Sequence, residues 1–276
     1  MGKRPAELRR ALDSVLAQRG VELEVVVVGN AWQPAGLPPG VRAVGLPENV
    51  GIPAGRNAGV DAVSGDLLFF LDDDAALAAD DTLARLAVSF AGHPRLGLVQ
   101  PRVLDPAGRP PPRRWVPRLR VGSPARSSPA MNVWEGAVAI RREVFEAAGR
   151  WPDSFFYAHE GIELAWRVWD LGATVWYVGD VVVHHPVAPP TRHAYFYRLN
   201  ARNRVWIARR LLPAPLIPVY LGVWIALTLA REHSPSALRG WFAGFLEGLR
   251  TPAGPRRPLR WRTVLRMTLH GRPPVI

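Results

Sequence analysis

The sequence contains no cysteine in its 276 residues. Disulfides, thiolate metal sites and a cysteine nucleophile are thereby excluded, and the composition suits a reducing compartment. The opening "MGKRPAELRRAL" lacks the apolar core of a signal peptide, so export is not expected. No internal repeat is visible, which argues against a solenoid or propeller. Acidic residues are scarce in one region. Residues 191–276 carry 15 Arg but only Glu232 and Glu247, while residues 1–190 are nearly neutral, so the net charge of +12 resides in the C-terminal third. Charge of either sign is absent from "LLPAPLIPVYLGVWIALTLA" (211–230). What is present, 48% hydrophobic and 21% charged residues, is an ordinary globular composition able to bury a sizeable core. The length suits one large domain, or one domain with an appendage.

Hydrophobic patterning divides the chain in the same way. "PAELRRALDSVLAQRG" (5–20) has Leu8, Leu12, Val15 and Leu16 on one stripe and Gly20 at its end, which predicts a helix. "LEVVVVGN" (23–30) and "LLFFL" (67–71) read as buried strands, with a short strand near 41–44 and a helix over 53–63 between them. A helix over 82–91 follows, with Asp80 and Asp81 as its caps, then a strand over 96–105. Residues 106–130, rich in Pro, Arg and Ser, read as a mobile loop. A strand over 135–140, helices near 142–148 and 160–172 and short strands within 174–185 complete an alternating α/β pattern. That pattern implies an open sheet whose ligands sit beyond the carboxyl ends of its strands. After residue 190 the chain is helical. Residues 211–230 match the roughly 20 residues of a spanning helix, but Pro213, Pro215 and Pro218 interrupt the first half. An interfacial or core-packed helix is therefore expected over a true span. Basic residues flanking apolar segments point to an anionic membrane surface rather than nucleic acid.

Three stretches carry candidate chemistry. In "FFLDDDAAL" (69–77), Asp72, Asp73 and Asp74 follow a strand. Carboxylates one residue apart can grip Mg2+ or Mn2+ and bridge it to a diphosphate; a polar turn before a helix is the alternative. In "ENVGIPAGRNAGV" (48–60), Asn49, Gly51, Gly55, Asn57 and Gly59 recur where a loop opens a helix. Free N–H groups and the positive end of the helix dipole there suit a phosphate or nucleoside, although a plain turn with small-residue packing has the same pattern. In "YAHEGIELAWRVWDLGATVWYVGDVVVHH" (157–185), Glu160 stands at a helix start as a candidate general base, or as a charge that complements the dipole. His184 and His185 follow an apolar strand, as metal ligand or as structural histidines.

Taken in order, these pieces resemble family 2 glycosyltransferases of the GT-A fold, the inverting, nucleotide-sugar-dependent kind. "NVGIPAGRNAGV" resembles that family's Asn-x-Gly…Asn-x-Gly segment, "FFLDDDA" its Asp-x-Asp motif, "GAVAIRREVFEAAGRWPDSFFYAHEGIEL" its acceptor-side stretch, and "VVVHH" the strand that supplies a metal-binding histidine. The resemblance spans nearly all of residues 4–190. It implies a Rossmann-like, nucleotide-diphospho-sugar transferase sheet, open, mixed and flanked by helices. Residues 1–190 would form the transferase domain and 191–276 a basic, apolar helical tail. Asp72, Asp74 and His184 would hold Mg2+ or Mn2+. Asn30, Asn49, Gly51, Arg56, Asn57, Asp72 and Asp73 would bind the nucleoside-diphosphate sugar, and Glu160 would deprotonate an acceptor hydroxyl.

Three departures from the family pattern stand out. The chain starts at the first helix, without the strand that usually precedes it and lies in the middle of the sheet. Asn30 follows Gly29 where the family often has a base-reading Asp. The Glu-Asp pair reads Glu160-Gly161, which leaves Glu160, or Glu163 one turn on, as the base. The expected function is sugar transfer with inversion in cell-envelope, polysaccharide or glycolipid synthesis. It would take place on the inner face of the cell membrane, with the tail near a lipid-linked acceptor. A catalytically degenerate homologue that binds a membrane or partner is the alternative. A sugar nucleotidyltransferase would need a glycine-rich phosphate loop after the first strand, and none is present.

Overall fold

The computed structural model describes residues 4–188 and 195–275. The domain boundary expected at 190 and any segment before Arg4 lie outside them. In chain order the elements are α1 (Pro5–Leu16), β1 (Val25–Gly29), β2 (Val41–Gly45), α2 (Ile52–Val60), β3 (Leu67–Leu71), β4 (Ala76–Leu77), α3 (Thr82–Ala91), β5 (Leu96–Leu104), β6 (Ser128–Pro129), β7 (Ala137–Arg141), α4 (Arg142–Ala147), α5 (Glu160–Leu171) and β8 (Thr174–His184). The tail supplies α6 (Phe196–Leu211), α7 (Leu216–Arg231), α8 (Pro235–Arg250) and α9 (Trp261–Leu269).

The main sheet runs β3-β7-β5-β8-β4, with β6 also on β8. It is mixed: β5 is parallel to β8, and β7 lies antiparallel between β3 and β5. β1 and β2 pair in parallel as a separate two-stranded sheet, Val25 opposite Val41. The β-branched, apolar runs of the sequence become the buried strands. Leu98, Val138, Ile140 and Val175 are fully buried in the core, as expected where helices cover a sheet.

Three expectations about local order change. Asp81 stands at the N-terminus of α3, but its side chain makes no capping hydrogen bond. Gln18 does that work from the end of α1: its Oε1 accepts from Leu83 N–H at 2.9 Å and its Nε2 donates to Ala79 O at 2.6 Å. A long side chain from a neighbouring helix can satisfy a free helix N–H as well as a local Asp can. The stretch 106–130, expected to be mobile, is instead tied down. Trp115 is buried, and the buried Arg118 guanidinium donates to the carbonyls of Val121, Ser123 and Arg126. The short strands expected within 174–185 form one continuous β8.

The tail joins the core. Trp206, Ile207, Leu211, Tyr220, Leu259 and Met267 belong to the same hydrophobic cluster as Leu98, Ile140 and Trp169. α6 and α8 approach closely because Gly244 and Gly248 face α6. A Cβ at Gly244 would come within 1.9 Å of Arg198 O. α7 holds most of the 211–230 run, yet only Tyr220 of its 16 residues is buried, and Val219 and Leu229 are about half exposed. Among the described residues no helix is long and apolar enough to cross a membrane.

Candidate active site

The carboxyl end of β3 delivers the aspartates. Leu71 pairs with Ala137 on β7, Asp72 N–H then donates to Gly136 O, and Ala75 N–H closes a turn onto Asp72 O. The chain re-enters the sheet as β4, pairing Ala76 with His184 and Leu77 with Val183. This tight return places Asp74 beside the residue that follows β8, and that residue is His185. Its Nε2 lies 3.0 Å from Asp74 Oδ1 and 3.9 Å from Asp72 Oδ2. The histidine expected here was His184. Strand alternation explains the difference: Val181 and Val183 are buried on β8, and His185 continues their parity while His184 takes the opposite side. Trp134 and Trp115 stand edge-on to the His185 ring, with centroids 4.8 and 5.6 Å away, and fix its plane.

Asp72, Asp74 and His185 offer ligand atoms that all lie within 4.8 Å of one another. Two carboxylate oxygens and an imidazole nitrogen are a fitting donor set for Mg2+ or Mn2+. Arg4 bonds Asp73 and Asp74 from the start of α1, and Arg56 Nη2 donates to Asp72 Oδ1 at 2.8 Å. Burial alone would raise the Asp74 pKa, but His185 and Arg4 outweigh it and hold it below the usual value. Asp73 moves the other way: burial raises its pKa, despite Arg4.

The aspartates and His185 line a cavity of about 1510 Å³. Asn30, Asn49, Gly51 and Arg56 line it too, together with apolar residues of α1, β1 and β3. Asn30 clamps the loop ahead of α2, accepting from Val50 N–H and donating to Gly51 O, both at 2.9 Å. Asn49 Oδ1 accepts from Gly51 N–H at 3.1 Å. Gly51 has φ 85°, and a Cβ there would meet Phe156 backbone within 2.6 Å, so only glycine fits. Asn57 is absent from the lining. It turns to Trp151, donating to its O at 2.9 Å and accepting from its N–H at 3.1 Å. It thereby fixes the loop that leads to α5.

Glu160 opens α5, only 3% exposed, with Oε1 3.4 Å from Arg56 Nη1. Arg56 therefore spans Asp72 and Glu160 while stacking on Trp151. Phe156, Ala158 and His159, just before Glu160, all have left-handed φ between 64° and 71°. Such a run is strained and needs external support. Buried Asn203 on α6 provides it, donating to the carbonyls of Phe155, Tyr157 and Ala158 at 2.8–3.1 Å. Glu163, the alternative base, is fully buried and ion-paired with Arg210 at 2.8 Å and Arg167 at 3.7 Å. It joins α5 to the tail and does not line the cavity.

The family model for glycosyl transferase family 2 matches residues 3–149, more than half the sequence. The chain belongs to glycosyl transferase family 2. No curated protein matches the sequence. Among solved structures this chain is similar to S. aureus TarS (TM-score 0.59, 17% identity, 90% of this chain and 47% of that one). It is similar to GalNAc-T7 with UDP, GalNAc and Mn2+ (0.63, 15%, 98% and 56%). A third is the mannosyltransferase PcManGT from Pyrobaculum calidifontis in complex with GDP-Man and Mn2+ (0.56, 21%, 96% and 81%). At these identities the likeness shows the fold, GT-A. The chain spans about half the length of the first two.

Proposed function

We propose that the protein transfers a sugar from a nucleoside-diphosphate sugar to an acceptor hydroxyl, with inversion at the anomeric carbon. The observation that carries this is the Asp72–Asp74–His185 group at the strand ends, in one cavity with the acceptor-side carboxylates of a family 2 chain. Asp72, Asp74 and His185 would hold Mg2+ or Mn2+, which when bound neutralises the leaving diphosphate. Asn30, Asn49 and Gly51 form the rigid donor wall, Asp73 stands at the diphosphate end, and Arg56 adds a positive charge between donor and acceptor sides. The acceptor hydroxyl gives its proton to the carboxylates around Glu160. A single in-line displacement then inverts configuration without a covalent intermediate.

Residues 1–190 form the transferase unit in this reading, and 191–276 bring it to a membrane surface. Supporting this, Trp261, Leu265 and Leu269 form an exposed stripe on α9 at one-turn spacing, 58–76% exposed, beside Arg260 and Arg262. Such a face suits the boundary of an anionic bilayer. The setting would be the inner face of the cell membrane, with an envelope polysaccharide or glycolipid precursor as acceptor.

Release of UDP or GDP from a panel of UDP- and GDP-sugars, in Mn2+ or Mg2+, tests the transfer. Turnover lost with EDTA is expected; no turnover of any donor favours the non-catalytic alternative. Flotation with phosphatidylglycerol-containing vesicles tests the tail. Binding should fall when Trp261, Leu265 and Leu269 are all replaced by Ala, and unchanged flotation would exclude that face.

A further inference from the structure

Glu135 was read from the sequence as the start of a strand, yet β7 begins two residues later, at Ala137. The side chain of Glu135 projects instead into the cavity, where it is half-buried. Its Oε1 accepts from Gly161 N–H at 2.8 Å, in the first turn of α5. Gly161 is constrained by this contact. A Cβ there would lie 2.7 Å from Glu135 Oε1 and 2.8 Å from its Cγ, besides 2.4 Å from Val133 O. The glycine after Glu160 thus leaves room for a carboxylate brought in from another segment.

The two carboxylates differ in access. Glu160 is nearly sealed: one oxygen faces Arg56, and Oε2 is buried with no hydrogen-bond partner among the described residues. Glu135 is held by Gly161 N–H and, half-buried, lines the cavity. Arg56 and Asp72 also act on both groups.

We propose that Glu135 is the catalytic base of this site, its carboxylate held by Gly161 N–H and open to the acceptor, with Glu160 as its buried partner. This rests on the transferase reading above. The acceptor O–H proton passes to Glu135, and the acceptor oxygen forms its bond to the anomeric carbon. The bond from that carbon to the donor phosphate oxygen breaks, and its electron pair leaves on the nucleoside diphosphate. Two carboxylates at close quarters disfavour double ionisation. In accord with this, burial first and the Glu135 charge second push Glu160 up to about 8, so it keeps its proton at neutral pH. Burial also raises Glu135.

The test has two arms on the full chain. In the first, turnover of the UDP- and GDP-sugar panel is measured for wild type, Glu135→Gln and Glu160→Gln. Glu135→Gln should lower kcat by roughly 10²–10⁴-fold, the usual contribution of a general base, with the donor KM little changed. Glu160→Gln, which keeps a neutral side chain there, should cost no more than about tenfold and leave the acid limb of the pH profile in place. Glu135→Gln with wild-type kcat overturns the proposal. In the second arm, the side-chain carboxyl carbons of 13C-labelled glutamate are titrated by NMR, which needs no turnover. Glu160 should titrate at lower pH in Glu135→Gln than in wild type, because the Glu135 charge that raises it is gone; an unchanged Glu160 titration overturns the pairing. Absence of turnover in wild type overturns the transferase reading and the base role together, and the NMR arm then reports on the pair alone.

Discussion

The two sides of the cavity are built by different means. The side that carries the candidate metal ligands is made where strands end. β3 delivers Asp72 and Asp74, and the short β4 folds them against the end of β8, where His185 waits. Regular backbone pairing fixes these positions. The side that carries Glu160 and Glu135 is made of irregular backbone. Glu160 follows three left-handed residues, Glu135 precedes a strand, and both depend on contacts from far along the chain. A strand end places a side chain by geometry alone, whereas a loop needs partners to hold it. The tail supplies one of those partners, so a segment outside the family match is built into the Glu160 side.

Substitutions should separate the two sides. The largest effect is expected at Asp74. Asp74→Asn removes a charged ligand and should lower metal-dependent turnover by at least about 100-fold, with near-normal thermal stability, measured by donor consumption and by melting. Asn203→Ala should do the reverse. It takes a donor from the half-buried Tyr157 and Ala158 carbonyls, while Phe155 O keeps Arg202 and Tyr157 N–H, and should cost about 2 kcal/mol, within the usual range for lost buried partners, measured by urea unfolding. Its damage to turnover should appear in the acceptor KM, with Mn2+ affinity unchanged.

A smaller effect concerns pH. Glu160 has a folded pKa of about 8 against an ordinary 4.5. Between those values the folded chain keeps a proton that the unfolded chain has lost. The stabilisation is complete below about 4.5 and is lost as pH rises through about 8. Wild type should therefore melt at higher temperature at pH 5 than at pH 8.5, and Glu160→Gln should flatten that slope. The smallest effect is expected at Arg4, about one-third exposed and bonded to Asp73 and Asp74. Arg4 competes with a cation for the same oxygens. Arg4→Ala should tighten Mn2+ binding by about two- to fivefold, in keeping with the modest strength of a part-exposed ion pair, as read by calorimetry.

The same contrast explains what the sequence disclosed. The apolar runs at 25–29, 67–71 and 137–141 have one natural reading as buried strands, and the aspartates had to follow the second of them. Parity along β8 could have chosen His185 over His184, since Val181 and Val183 mark its buried side. Nothing local could have revealed Glu135, whose role depends on Gly161, 26 residues away. The same holds for Asn203, a polar residue inside an otherwise ordinary helix. Gly161, read alone, looked like the loss of a carboxylate. In the fold it makes space for one.

The central claim is that the strand-end carboxylates bind a nucleoside diphosphate through a divalent cation. Calorimetric titration of wild type and Asp74→Asn with UDP and with GDP, in Mn2+ and in EDTA, tests it most directly. The account predicts that one of the two nucleotides binds wild type at least about tenfold more tightly in Mn2+, and that Asp74→Asn loses this gain. Equal binding in Mn2+ and EDTA, or no binding of either nucleotide, would contradict it.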